Sequence, residues 1–344
     1  MLAPIAVCYL VALVLPGPGL VLRHARLNCN GFCVRLSAAL LAVTLFSAAL
    51  DGRLLMSGSA AGRRRWPAAG FVLKSALPMV LMPALAALVT GWDGTQQTTS
   101  VWIGCALVLS VQLASGTATS RKAVSADPAK AVVLASMLLS PMTIPLGLRC
   151  AAVLTHAHLG TRMHHTADSA GCVFLLGVVI LPCASALALR RFAHEGRVVK
   201  VLVPVKRARG LSVHLLCYGN ASVAFGQVLS RTDLRALALA GLAAVTTCGC
   251  GLLIGHLRTP CTTALAAPLA HRIAAGMDSS LGASVLASAW FADRPAVLLP
   301  LLAYNLIQHT AAARVASGAV RWSQSSAGMT GVTPGRWTVP SIRP

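Results

Sequence analysis

Asp278 stands in the middle of an apolar stretch, residues 261–289, flanked by Gly276, Met277, Ser279, Ser280 and Gly282. A carboxylate among aliphatic side chains can bind and release a proton or pair with a cation. At bilayer depth it costs roughly 2.5–3.5 kcal/mol unless a partner or a polar cavity faces it. Glycines and hydroxyls beside it let a helix unwind, leaving N–H and C=O groups that a guest or a neighbouring segment must satisfy. A second interruption lies earlier, where Ser115, Gly116, Thr117, Thr119 and Ser120 precede Arg121 and Lys122. A third polar set falls on the last apolar segment. There the spacing puts Tyr304 with Gln308, and Asn305 with His309, on adjoining strips of a helix. These groups, with Asn220 and Gln227, either line a solute path or make interhelical hydrogen bonds.

Other chemistry is less well supported. His156, His158, His164 and His165 are spaced for zinc or copper, but only Asp168 joins them, so they read as a solvated loop. Cys248-Gly249-Cys250 resembles a thiolate pair, yet the neighbouring Gly251 and Gly255 suit close helix packing. The remaining cysteines sit mostly singly in apolar runs, and no disulfide is expected. No hydrolase elbow, phosphate-binding Gly-Lys loop or HExxH occurs, so an enzyme is not expected.

These residues need elements to hold them, and composition says which. Hydrophobic residues make up 56% of the chain, charged residues 11%, and mean hydropathy is +0.73. That balance points to an all-α integral membrane protein. The 29 Lys and Arg against 8 Asp and Glu sit in short loops rather than in one patch with aromatics, which argues against nucleic acid as a partner. Ten segments are long and apolar enough to span about 30 Å of hydrocarbon. They fall near 3–22, 33–50, 68–91, 100–119, 128–149, 170–189, 211–230, 234–256, 261–289 and 295–316. The first has no basic leader or small-residue cleavage site and reads as a retained span.

Basic residues set the orientation. Arg53, Arg63, Arg64 and Arg65, then Arg190, Arg191, Arg197, Lys200, Lys206, Arg207 and Arg209, mark one side. Arg23, Arg26, Arg35, Arg149, Arg162, Arg231, Arg235 and Arg294 are more thinly spread on the other. Both termini are therefore expected in the cytoplasm, with the protein in the cell membrane. A transmembrane domain over 1–316 divides into repeat one, about 1–150, and repeat two, about 170–316; 317–344 is a flexible cytoplasmic tail. Five spans per half give the halves opposite orientations, and their broken fourth and ninth helices mark a midplane site.

With these features in order, the chain resembles the bile acid:sodium symporter family of ten-helix secondary transporters. The likeness rests on GMDSSLGASVLASAWFADRPAVLLPLLAYNLIQHTAAA (276–313), SGTATSRKAVSADPAKAVVLASMLLSPMTIPL (115–146) and MVLMPALAAL (79–88). It implies that the two broken helices cross, and that a small organic solute, plausible as an anion at half-helix N-termini, moves by alternating access. Transferred position by position, the family's cation ligands are largely replaced. Its ninth-helix Glu falls on Ala274, its third-helix Gln on Pro78, the Gln-Asn pair on Asp278 and Ser279, the Ser-Asn pair on Thr119 and Ser120, and the fifth-helix hydroxyls on Ala131 and Ala135. Sodium is thus a doubtful cofactor and no other is expected.

The expected substrate residues are Thr119, Ser120, Gly276, Asp278, Ser279, Asn305 and Gln308. Arg121 or Lys122 would come near Asp278 and stand in for the cation, making transport proton-coupled through Asp278 or uncoupled; the alternative is that both snorkel to the interface. Two other readings stay open, a sodium-coupled symporter with displaced ligands and a non-transporting membrane scaffold or sensor. The solute and the oligomeric state are left open too.

Overall fold

The computed structural model describes residues 2–29, 32–51, 96–111, 127–154, 174–193, 195–230, 234–257, 280–311 and 313–314. These residues are predominantly helical. In order they form α1 (Leu2–Val14), α2 (Pro16–His24), a two-stranded hairpin of β1 (Arg26–Cys29) and β2 (Phe32–Arg35), α3 (Leu36–Asp51), α4 (Gln96–Ser110) and α5 (Asp127–Leu154). After a π-helical turn, Leu176–Ile180, come α6 (Leu181–Phe192), α7 (Glu195–Ser230), α8 (Leu234–Leu257) and α9 (Ser280–Trp290). A 3-10 turn, Pro295–Val297, leads into α10, residues 298–311.

Two helices sit at the centre. Residues 100–110 of α4 are buried on every side, as are 280–288 of α9. A helix apolar all round has no face to offer water, and α4 is covered by α5, α8, α9 and the 3-10 turn. The long α7 packs on α1, α2 and α3, and α3 carries α6 on another flank.

The expected single first span, 3–22, is instead broken at Leu15, and α1 and α2 meet at 99°. Proline explains it. Pro16 has no N–H to continue the ladder, and its ring drives the preceding residue out of the helical region, so Leu15 sits at φ −127°, ψ 71°. The Leu15 carbonyl accepts a 2.6 Å bond from the Tyr218 hydroxyl on α7. Tyr218→Phe is therefore expected to cost about 1 kcal/mol, read as a shift in the denaturation midpoint of the purified protein.

The loop after the first span is a hairpin with register Arg26↔Arg35, Leu27↔Val34, Asn28↔Cys33 and Cys29↔Phe32, a small addition to described residues that are otherwise helical, as expected of an all-α protein. One further expectation is corrected. The basic stretch expected as a loop before 211 is helical from Glu195 onward, as the first part of α7. Its cations are placed to suit helix ends. Arg190 donates to the Leu50 carbonyl in the last turn of α3, and Lys206 lies 2.9 Å from Asp51. Cations there complement the negative end of a helix. Burial pulls the nearby Arg209 guanidinium below its usual range, and the charge of Asp51 opposes that.

Among the described residues no single helix is both long and apolar enough to cross a membrane; only α1 and α2 together pass, as the bent pair. The expected third span, 68–91, lies outside the described residues, as does the tail, 317–344.

Candidate functional site

The core contains more polar side chains than its surroundings suggest. Where α1, α7, α9 and α10 meet, Tyr9, Asn220, Ser280, Ser284, Asn305 and Gln308 are all buried. Each arrives for a local reason. On α9, Ser280, Ser284 and Ser288 recur every four residues and so share one strip. Ser288 donates to the Ser284 carbonyl at 2.7 Å and Ser284 to the Leu281 carbonyl at 2.9 Å. On α10, Asn305 and Gln308 are three apart and face the same way.

Asn305 is the hub. Its Oδ1 accepts from the Ser280 hydroxyl at 2.7 Å, and its Nδ2 donates to the Tyr9 hydroxyl at 2.6 Å. Gln308 Nε2 reaches both Ser280 Oγ and Asn305 Oδ1 at 3.2 Å. Beside this, Asn220 Nδ2 donates to Ser284 Oγ at 2.6 Å, joining α7 to α9. Asn305 Nδ2 also lies 3.8 Å from Cys217 Sγ. Tyr9, Cys217, Asn220, Ser280, Ser284 and Asn305 border a cavity of about 10 Å³, room for one water-sized group.

One valence is open. Gln308 Oε1 is buried and has no partner. Asn305 Oδ1 and Ser280 Oγ already accept bonds, so the arrangement asks for one more donor, an N–H, an O–H or a cation, on the α10 side. Buried acceptors in this condition are uncommon enough to need a cause, and a guest is one.

Of the expected substrate residues, the structure brings Asn305 and Gln308 together. They bond to each other across the adjoining strips of α10, and Tyr304 and His309 on the same strips are buried with them. Asn220 makes the interhelical bond that was one of its two readings. Thr119, Ser120, Arg121, Lys122, Gly276, Asp278 and Ser279 lie outside the described residues, as do the four histidines of 156–165 and the side chain of Gln227. Cys248 is buried on α8 while Gly249 is exposed; two residues apart on a helix, Cys248 and Cys250 point to different sides, which does not suit a thiolate pair.

Tyr9, Cys217 and Ser284 are the members that sequence reasoning missed. A hydroxyl on an apolar helix was the signal for Tyr9, because a buried tyrosine needs a partner. The four-residue serine spacing was the signal for Ser284. No protein-family model matches the chain, and no curated protein matches it significantly.

Proposed function

We propose that the chain is an integral membrane protein of ten spans in two inverted repeats, and that it moves a small organic solute past the Asn305 cluster by alternating access. The observation that carries this reading is the burial pattern. Amides and hydroxyls such as Asn220, Asn305 and Gln308 are buried within a largely aliphatic core, and many large aliphatic side chains are exposed outside it. On α8 the inward residues are mostly small, Ala236, Ala240, Ala243, Ala244, Thr247 and Cys248, while Leu237, Leu242, Val245 and Leu253 point out. On α1, Leu10 and Val14 are 63% and 74% exposed while Tyr9 and Ala12 are buried. Small residues at contacts and large ones outward suit helices packed in lipid, where intramembrane polar groups face one another or a path.

Contacts between elements agree with the depths that positive-inside orientation assigns. Asp51 meets Lys206 on the side expected to be cytoplasmic. Arg35 meets the Ser288 carbonyl on the other. Tyr9, Asn220 and Asn305 fall within the interior of their expected spans, and Ser284, which Asn220 meets, lies toward the outer end of its own.

Asp278 enters through connectivity. It lies two positions before Ser280 in the chain. Coupling to protons through Asp278, with Arg121 or Lys122 in place of a metal cation, rests on the sequence, which sets a lone acid in an apolar segment. Scaffold or sensor remains the second reading, favoured by a cavity that admits one water rather than an organic solute.

Proteoliposome uptake of a panel of small organic acids, with sodium and pH gradients imposed separately, tests both. The expected result is uptake that follows the pH gradient, ignores sodium, and falls at least about tenfold in Asp278→Asn, in line with loss of one proton-transfer group. Sodium-driven uptake surviving Asp278→Ala would overturn the coupling, and absence of flux for every acid would favour the scaffold.

A further inference from the structure

Where α2, the hairpin and α9 meet, three arginines gather, and among the described residues no ion pair to any of them is seen. Arg23 lies in the last turn of α2, Arg26 opens β1, and Arg35 closes β2 directly opposite Arg26 in the register. Directly opposed residues of an antiparallel pair share one face, and like charges there repel. The hairpin base is closed by the Leu36 N–H, which donates to the Ala25 carbonyl at 3.0 Å, so the three arginines are held by short segments and cannot simply separate.

Their donors are unevenly used. Arg35 Nη1 donates to the Ser288 carbonyl near the end of α9 at 2.6 Å, which pins that guanidinium. Arg23 is half-buried, and its Nη1 is fully buried without a partner. Among the described residues the ion pairs seen are Lys206 with Asp51 and Arg294 with Asp293, and none involves Arg23, Arg26 or Arg35. Burial, and then the like charge of Arg35, pull the Arg23 guanidinium down to about 10, which leaves it charged at neutral pH. A buried guanidinium N–H beside a second cation is a doubly unfavourable arrangement until an anion occupies it.

We infer that Arg23, Arg26 and Arg35 form a binding site for a tetrahedral phosphate oxyanion at the base of the hairpin. Phosphate suits the site because its oxygens point in several directions, so one group can bridge guanidiniums from a helix and two strands, and planar forks match phosphate edges in pairs. Both a soluble phosphate and a phospholipid headgroup present this chemistry. The site is separate from the Asn305 cluster and does not depend on transport.

The test uses the purified full chain at fixed pH and matched ionic strength. Thermal midpoints are followed against inorganic phosphate with chloride as reference. A second arm compares nanodiscs of phosphatidylcholine with nanodiscs containing phosphatidylglycerol. Stabilisation by phosphate is the expected result for a soluble ligand and stabilisation by phosphatidylglycerol for a headgroup; either supports the site. In Arg23→Gln the apparent affinity should fall roughly ten- to a hundredfold, the equivalent of one charge-assisted hydrogen bond. Arg26→Gln, at an exposed position, repeats the measurement if Arg23→Gln does not fold. No response in either arm, or a response unchanged in the variants, overturns the assignment.

Discussion

Asn305→Leu is expected to destabilise the purified protein by about 2 kcal/mol and to abolish solute uptake. The substitution keeps the number and branching of side-chain heavy atoms but removes the acceptor for Ser280 and Gln308 and the donor to Tyr9 in one step. In water-excluded protein cores an unpaired polar group costs about 1–3 kcal/mol, which would place the total well above that figure. Between helices in a bilayer such bonds average nearer 0.6 kcal/mol, because freed groups find other partners. The membrane reading therefore expects the smaller loss, measured by chemical denaturation in detergent micelles. Gln308→Leu separates structure from function. Its bonds are the long ones, both 3.2 Å, and its Oε1 is already unpartnered, so stability should change by less than about 1 kcal/mol while uptake is lost. Normal uptake by both variants would remove the cluster from the solute path.

How much of this was legible beforehand depends on the range of the interaction. Apolar runs located α3, α8 and α10 within a few residues, since segment length and composition are local properties. The turn at Pro16 has a local cause, a proline inside the first apolar run, yet that run was taken as one span, and the right-angle bend also involves Tyr218, which donates to the Leu15 carbonyl from 203 residues away. The hairpin had its signal in Asn30-Gly31, the pair most suited to a two-residue connection, yet short apolar flanks make strand and span end look alike. In α7 the charged segment was read by composition as a loop, whereas Val198 is buried between exposed Arg197 and Lys200, as a helix face requires. Asn305 and Gln308 were visible as polar residues on an apolar segment. The Asn305 partner Tyr9 was not, since nothing in a single chain links positions 296 residues apart.

Gly19→Ala is expected to cost about 1–3 kcal/mol, as overpacking does in tight cores, and the loss should be partly reversible from the other side of the contact. A methyl group at Gly19 would run into the Ser222 side chain on α7 and would lie 3.3 Å from the Tyr218 ring. Gly219 stands close by, where a side chain would come within 3.6 Å of the Gly19 carbonyl. Small residues on both helices thus let α2 approach α7 at backbone distance. Ser222 cannot yield without strain, because its hydroxyl is bonded to the Tyr218 carbonyl at 2.9 Å, and Tyr218 in turn caps Leu15. Ser222→Gly in the Gly19→Ala background removes the obstructing atoms and leaves the Tyr218 ring as the nearest neighbour. It adds a helix penalty of about 0.5 kcal/mol or less, so the double variant should recover around half of the lost stability and not all of it. Thermal midpoints of the two single variants and the double variant make the measurement. Strictly additive losses would show that α2 and α7 are not in contact there, and that the bend at Pro16 carries the chain elsewhere.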